Sequence, residues 1–461
     1  MPSRKPRAGI VSAVVLTAVA VALGPGSPAG ATPPTGHVTG TLPDGAQYVM
    51  DVPANWNGTV LLFSHGIVPA GLGLPNPPTN SLGNGDGPVL LAKGYALVGS
   101  SYATEGWAVE QAIPDQLDTL ALFQEKFGPA RHTIAWGASM GGMITTAIAE
   151  QHPEVIDGSL AMCGLEMGGV AEWNALLDSS FAFKALLAPQ SGVALTHLGD
   201  LSAAEASAAA FSKVAATAQT TPAGRARIAL AAALYDAPAY NTPGQTVPAP
   251  GDWATAEVNQ ESDLVSQVFT AQFILRAEAE ERAGGNMSWN TGVDYGALLA
   301  RSAYGQEVVA LYQKAGLSLS ADLATVNRAS RINVEPAMAY MERYVSFDGE
   351  LRKPQLDIHT IGDGLVPVTG ESAYRDATIV AGRADLLRQA YVNSPGHCNF
   401  TAGEVTAAVD TIDHRVQTGV WGGSASPAAL NSLAHRDVPS GTANYVAYQP
   451  SPYLRPFNLL P

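Results

Sequence analysis

Ser139 sits in the stretch HTIAWGASMGGMI (132–144), flanked by Gly137 and Gly141, with Gly142 following. A serine hydroxyl is a weak nucleophile in water. It attacks a carbonyl only when it is held exposed and has a base beside it. A tight strand-to-helix turn supplies the position. The residues two places away on either side must then be small, because a side chain there would strike the adjoining strand or helix. An apolar run precedes this serine and a helix-like run follows it, which is the context such a turn requires. The helix that begins after Ser139 also aims amide dipoles at the site, which favours a developing oxyanion.

A base and an orienting acid have to come from elsewhere in the chain. Of nine histidines, His397 is the candidate base: it lies in NSPGHCNF, after an apolar strand and before a helix, on a loop set up by Pro395 and Gly396. His359 falls inside an apolar strand and reads as a core histidine. Asp363, just past the apolar run LDIHTIG, is the expected acid, placed to accept from imidazole Nδ1 and fix the tautomer. Glu166, after the strand VIDGSLAMC, competes for that role, whereas Asp357 lies within a strand and points wrongly. The chain order serine, acid, histidine is the one expected when the base arrives last. Two backbone donors are needed for the oxyanion: the amide of Met140, next to the nucleophile, and the amide of Ile67, in the loop after GTVLLFSHG.

These residues need a scaffold that brings loop ends together. Short strands are expected at HVTGTL and QYVMDVP, then at GTVLLFSHG (58–66), GYALVGSSY (94–102), HTIAWGA (132–138), VIDGSLAMC (155–163), LDIHTIG (356–362) and RQAYVNS (388–394). Continuous apolar runs of this length suit strands buried on both faces. Helices are expected over 108–127, from Met140 towards Pro153, and over 401–419, where Val405, Val409, Ile412 and Val416 share a face. The segment 68–88 is rich in Gly, Pro and Asn and reads as a loop bordering a pocket. Strands alternating with helices predict a mostly parallel sheet flanked by helices. Between 165 and 352 the alternation stops, and Ala-rich stretches such as SAAEASAAAFSKVAATAQ predict helices. That segment reads as a large helical cap inserted over one end of the sheet. The core would then be 32–164 plus 353–461. The Pro-, Ser- and Gly-rich tail from 422 is expected to lie extended on the surface.

With SHGI, GASMGG, GDGLVP and PGHCNF each following a strand, the chain resembles the α/β-hydrolase family, over about 45–165 and 355–420. The resemblance implies an esterase- or lipase-like serine hydrolase. In it Ser139 is the nucleophile, Asp363 the acid, His397 the base, and Ile67 and Met140 the oxyanion donors. A cysteine beside the histidine is distantly similar to feruloyl esterases and tannases, whose catalytic centres are braced by a disulfide. This chain departs from them: residue 138 is Ala, and Cys398 follows the histidine. Loops at the C-terminal ends of parallel strands share one edge. Cys163 and Cys398 both belong to that edge, so they are expected to form a bridge, the alternative being two separate buried thiols.

Composition narrows the function further. A basic start (Arg4, Lys5, Arg7), the apolar run Ile10–Leu23 and the small residues Ala29-Gly30-Ala31 read as an export signal over 1–31. The product would be a secreted protein without stable membrane insertion. The formal net charge of −15 argues against nucleic acid as a partner. Two cysteines cannot build the common four-ligand zinc site, and no metal or organic cofactor is implied. The expected activity is cleavage of a small-molecule or polymeric carboxylic ester through an acyl-enzyme. A serine peptidase or aminopeptidase of the same fold is the first alternative, and a non-catalytic binding protein that keeps the fold is the second. Trp173, Trp253, the run Phe181–Leu187 and the run 267–277 of the cap are candidates for an apolar pocket.

Overall fold

A computed structural model describes residues 35–457. The expected export signal over 1–31 lies outside the described residues. Strands β1 (Gly36–Thr41), β2 (Gln47–Val52), β3 (Thr59–Ser64), β4 (Ala96–Ser100), β5 (His132–Ala138), β6 (Gly158–Met162), β7 (Gln355–Gly362), β8 (Leu387–Pro395) and β9 (Tyr445–Val446) form one sheet in the order β1-β2-β4-β3-β5-β6-β7-β8-β9. Neighbours from β4 through β3, β5, β6 and β7 to β8 pair in parallel, while β1, β2 and β9 join antiparallel at the two edges. This is the mostly parallel, helix-flanked sheet of an α/β-hydrolase. Every residue of β3, β4 and β6 is buried, which explains why those strands read as unbroken apolar runs.

Helices α1 (Asp86–Ala92), α2 (Val109–Phe127) and α3 (Met140–Gln151) connect the first strands. Between β6 and β7 the chain runs through α4 (Gly169–Leu187), α5 (Leu201–Ala218), α6 (Pro222–Ala233), α7 (Trp253–Asp263), α8 (Arg276–Ala283), α9 (Tyr295–Arg301), α10 (Gly305–Ala315), α11 (Leu319–Arg328) and α12 (Met338–Val345). Two π-helical stretches, Leu264–Val268 and Thr270–Leu275, join α7 to α8. Then come α13 (Gly370–Val380), α14 (Ala402–Thr418) and α15 (Pro427–Asp437). The core splits across the sheet. Side chains of α2, α3 and α13 pack on one face together with the inserted helices, and those of α1, α14 and α15 pack on the other. Helix α14 starts at a capping box, Thr401 with Glu404, and buries Val405, Val409 and Ile412.

Two expectations need correction. The tail is not merely extended. Ser426 caps α15, Pro427 takes its first turn, and Leu430 and Ala434 are buried under it. Further on, the Tyr453 hydroxyl donates to the Ala171 carbonyl (3.1 Å) and Arg455 pairs with Asp178 of α4 (2.8 Å), so the tail straps the inserted helices. The loop after β3 also ends earlier than expected, because α1 begins at Asp86, whose carboxylate accepts from the Leu82 and Gly83 amides.

The β5–α3 turn is sterically closed. A Cβ on Gly137 would lie 2.3 Å from the Gly141 carbonyl oxygen, and one on Gly141 would lie 1.9 Å from the Ser64 carbonyl oxygen. Both obstacles are backbone and cannot rotate away. Gly141→Ala should therefore destabilise the protein by about 3 kcal/mol, the upper end for overpacking, read as a lowered denaturation midpoint. Gly192→Ala, where an added Cβ meets nothing within 4 Å, should stay within about 0.5 kcal/mol of wild type. Equal midpoints for the two variants would contradict the packing described.

Candidate active site

Ser139 sits at the junction of β5 and α3 with φ 60° and ψ −128°, a conformation that costs a non-glycine residue about 1–3 kcal/mol. Six non-glycine residues have positive φ among those described, and Tyr102, Ser139, Cys163 and Cys398 are four of them. Strain is thus gathered where strand ends meet loops. The flanking glycines permit the turn, and Gly66 lets the β3 loop come close: a Cβ there would fall 3.2 Å from Ser139 Cβ and 3.6 Å from its Oγ.

The three side chains expected to cooperate do meet. Ser139 Oγ donates to His397 Nε2 (2.7 Å), and His397 Nδ1 donates to Asp363 Oδ2 (2.8 Å) and Oδ1 (3.0 Å). This pattern places the imidazole proton on Nδ1 and leaves Nε2 free to accept. Local structure explains each position. The β7–β8 register shifts between Thr360 and Gly362, and the pairing ends with Gly362 opposite Pro395, one residue before Asp363. Its Oδ1 also accepts from the amides of Leu365 and Val366. The His397 loop is pinned by Gly396, whose amide donates to the Gly362 carbonyl (2.8 Å) and whose carbonyl accepts from Thr360 Oγ1 (2.8 Å).

Cys163 and Cys398 form a disulfide, with Cα atoms 5.4 Å apart at a sequence separation of 235. A closure that long stabilises by about 5 kcal/mol in the chain-entropy model, an upper figure. Its Cys398 sulfur lies 3.5 Å from His397 Nε2 and so walls one side of that imidazole.

Asp363 is fully buried. Burial pushes its carboxyl upward, yet His397, the charge of His359 and the Val366 amide outweigh that and hold it below the ordinary carboxylate range. His359 was expected to be a satisfied core histidine, and it is. Its Nδ1 meets Glu371 Oε1 (2.9 Å) and its Nε2 meets the Val366 carbonyl (2.9 Å). Both partners accept, so both ring nitrogens donate and the ring is an imidazolium. Burial opposes that charge, but Glu371, Asp363 and Glu166 raise the group to about 9. Its Nε2 lies 3.6 Å from Asp363 Oδ2.

Glu166, the competing acid, faces His359 and Glu371 instead. Burial and the Glu371 charge raise it to about 8. Asp357 is held by Gln355 (2.9 Å) and Gln389 (3.4 Å). Among the described residues, two groups carry ligand-type atoms close together. Cys163, His397 and Cys398 have their sulfurs joined, and Glu166, His359 and Glu371 have both imidazole nitrogens engaged. Neither set offers a free soft or imidazole ligand.

Ser139 borders a narrow slot of about 30 Å³, lined also by Ile67, Met140, Trp107, Trp173, Glu172 and Leu275. The two expected oxyanion residues thus border the same space as the serine. The first amides of a helix have no intrahelical acceptor, so the Met140 amide is available to a ligand. Of the cap residues singled out in the sequence, Trp173, Ala271 and Leu275 line this slot. Phe181, Lys184 and Ala185 border a separate surface groove, and Trp253 packs on the core. Glu172 and Trp107 had no signal of their own beyond an acid inside an apolar helix and a tryptophan near a Gly-rich turn.

Residues 41–334 match the model of a tannase-like family of unknown function. An o-phthalyl amidase from Xanthobacter agilis is 31% identical over 437 residues, covering 88% of this chain and 93% of its own. An esterase from Aspergillus oryzae aligns at 11% identity and TM-score 0.42, over 83% of this chain and 79% of its own. Feruloyl esterase B from Aspergillus oryzae aligns at 12% and 0.38, over 83% and 80%.

Replacing His359 with Gln removes a buried cation beside Asp363, so catalysis should fail at higher pH on the acid side than in wild type. A second readout is stability. A group raised from 6.5 to about 9 on folding stabilises fully below 6.5 and loses that contribution as pH rises through about 9. The stability gap between wild type and His359→Gln should therefore narrow across that window. A gap that is constant with pH, measured by denaturant titration, would contradict a folded-state imidazolium.

Proposed function

The chain belongs to the tannase-like family of unknown function and is a hydrolase of the α/β-hydrolase fold, and from that premise we propose that it is a secreted serine hydrolase cleaving carboxylic esters through an acyl-enzyme on Ser139. The observation that carries the reading is the continuous relay from Ser139 Oγ through His397 to Asp363, at 2.7 and 2.8 Å. Ser139 Oγ attacks the carbonyl carbon while His397 Nε2 takes its proton. Asp363 holds the Nδ1 proton and stabilises the imidazolium without accepting it. The amides of Met140 and Ile67 receive the oxyanion. Collapse of the tetrahedral adduct breaks the bond to the alcohol, which leaves with the proton from His397. Water then attacks the acyl group by the same route, the acid departs, and Ser139 regains its proton.

The same relay can protonate a departing amine. A second reading, hydrolysis of an aromatic carboxamide, is favoured by the relative described as an o-phthalyl amidase. Secretion is part of the proposal. The Cys163–Cys398 bridge supports it, because such bridges persist in oxidising compartments. Among the described residues, no helix is long and apolar enough to cross a membrane.

A fluorophosphonate probe should label the protein and fail to label Ser139→Ala. With an ester and an amide of one aromatic acid as substrates, Ser139→Ala should lower kcat/KM by at least about 1,000-fold. Amide turnover comparable to ester turnover selects the amidase reading, and ester turnover alone selects the esterase. Labelling that survives Ser139→Ala, or wild-type protein inert to the probe, contradicts acyl transfer at this serine and favours a binding protein that keeps the fold.

A further inference from the structure

A second cavity borders Asp363 and shares no lining residue with the Ser139 slot. It measures about 250 Å³. Three parts of the chain enclose it: cap segments carrying Asp236, Tyr240 and Tyr304, the C-terminal ends of β7 and β8, and Tyr448 of the tail. Among the described residues, its lining holds two carboxylates, Asp236 and Asp363, and no lysine, arginine or histidine. The volume falls just below the range of about 300–1,000 Å³ usual for small-molecule pockets, so a ligand there is small. The three tyrosines bring aromatic surface, which attracts cations.

Asp363 needs nothing from this cavity, because His397 and the Leu365 and Val366 amides already bond to its oxygens. Asp236 is different. It is 5% exposed, and its Oδ1 accepts from Ser302 Oγ (2.7 Å) and the Ala303 amide (3.3 Å). Its Oδ2 has no hydrogen-bond partner among the described residues. Thr369 Oγ1, of another residue lining the cavity, is likewise buried and unpaired. Asp236 also borders one smaller space of about 10 Å³, which holds about one water at most. Its charge reaches the larger cavity. After burial it is the one charge that pushes the Tyr448 phenol upward, and the foremost one for Tyr304. For Tyr453, beside the smaller space, Glu172 and Asp178 weigh more. Burial raises Asp236 itself to about 7, against the pull of the Ser302 hydroxyl, the Ala303 amide and the Arg301 charge. Arg301 donates to the Tyr453 carbonyl (2.7 Å) and makes no hydrogen bond to Asp236. The carboxylate is therefore poised to ionise near neutral pH, with one oxygen still to be paired.

We propose that this cavity binds a small organic cation, a primary ammonium, which donates an N–H to Asp236 Oδ2 among the three tyrosines. The chemistry of the lining selects that class. A neutral hydroxyl pairs the oxygen but brings no counter-charge to the carboxylate. A quaternary ammonium brings the charge but no donor. An anion meets two carboxylates and no cation. Asp236 belongs to neither group of clustered ligand-type atoms, so a metal ion finds too few donors there. The site stands apart from the acyl-transfer reading, since no step at Ser139 needs it.

The test uses the full-length protein at about pH 8, where Asp236 is mostly ionised. Titration calorimetry compares three ligands of similar shape. Benzylammonium has charge and donor, benzyl alcohol a donor without charge, and benzyltrimethylammonium charge without a donor. Benzylammonium should bind at least about tenfold tighter than either of the others, the size of one charge-assisted hydrogen bond. Asp236→Asn keeps an acceptor for Ser302 and Ala303 and removes the charge, and it should bring benzylammonium and benzyl alcohol within about twofold of each other. Asn393→Trp crowds the cavity from the end of β8, leaves Asp236 in place, and should weaken benzylammonium at least about tenfold. Equal binding of the three ligands, or a preference untouched by Asp236→Asn, overturns the proposal. So does the absence of any binding heat, the result expected of a cavity that holds only water. A crystal structure of the wild-type complex gives a readout that needs no variant: the ammonium nitrogen should lie about 3 Å from Asp236 Oδ2, and a ligand seated elsewhere overturns the proposal. Failure of the Ser139 chemistry has a separate signature, loss of probe labelling, and does not touch these binding ratios.

Discussion

The structure turns on one hydrogen bond, Ser139 Oγ to His397 Nε2 at 2.7 Å, between residues 258 apart in the chain. Neither side chain can reach the other by local folding. Ser139 is exposed to the base only because β5 breaks into α3 through a backbone conformation held open by Gly137 and Gly141. His397 arrives from the far end of β8, on a loop fixed by Gly396 and walled by the Cys163–Cys398 bridge. The parallel sheet does the rest. It sets β5, β6, β7 and β8 side by side, so their C-terminal loops share one edge.

Electrostatics at that edge follow from burial. Asp263, Glu166 and Glu172 are buried acids near Asp363, and burial pushes each of them towards its un-ionised form. Asp263 is packed so tightly on the loop that a Cβ on Gly364 would lie 1.8 Å from its Oδ1. The Asp363 charge itself works against ionising Asp263 and Glu172. Of these acids Asp363 alone is held down: the His397 imidazole and the Leu365 and Val366 amides bond to it and to none of the others, and the His359 imidazolium adds to them. The site thus concentrates one negative charge against the His397 imidazole, and surrounds it with acids that burial pushes towards their un-ionised forms.

How far the sequence foretold this depended on whether a feature was local. The turn around Ser139 could be read because its glycines have a steric meaning at fixed spacing. Helix α14 could be read because Val405, Val409 and Ile412 repeat at helical spacing after a Thr–Glu capping pair. Asp363 and His397 could be placed because each follows an apolar strand, and their meeting needed only the strand order. Helix α15 was missed although Ser426-Pro427 is a helix-start signal, because the Gly, Ser and Pro around it read as loop. Asp236 was out of reach for a different reason. That one of its oxygens stays unpaired depends on Ser302 and Ala303, which engage the other, and its cavity is closed by the distant ends of β7 and β8. The charge on His359 likewise depends on Glu371 and Val366, which no pattern around the strand reveals.

The central claim is that Ser139 is acylated during turnover, with His397 as the base. Rapid-quench mass spectrometry on a slowly deacylating aromatic ester reads this directly. The account predicts a mass increase of one acyl group per chain, formed within the first turnover and mapped to the peptide carrying Ser139. The same adduct should be absent from His397→Ala over that interval. An adduct on another residue, or steady turnover with no adduct trapped at any time, would contradict it.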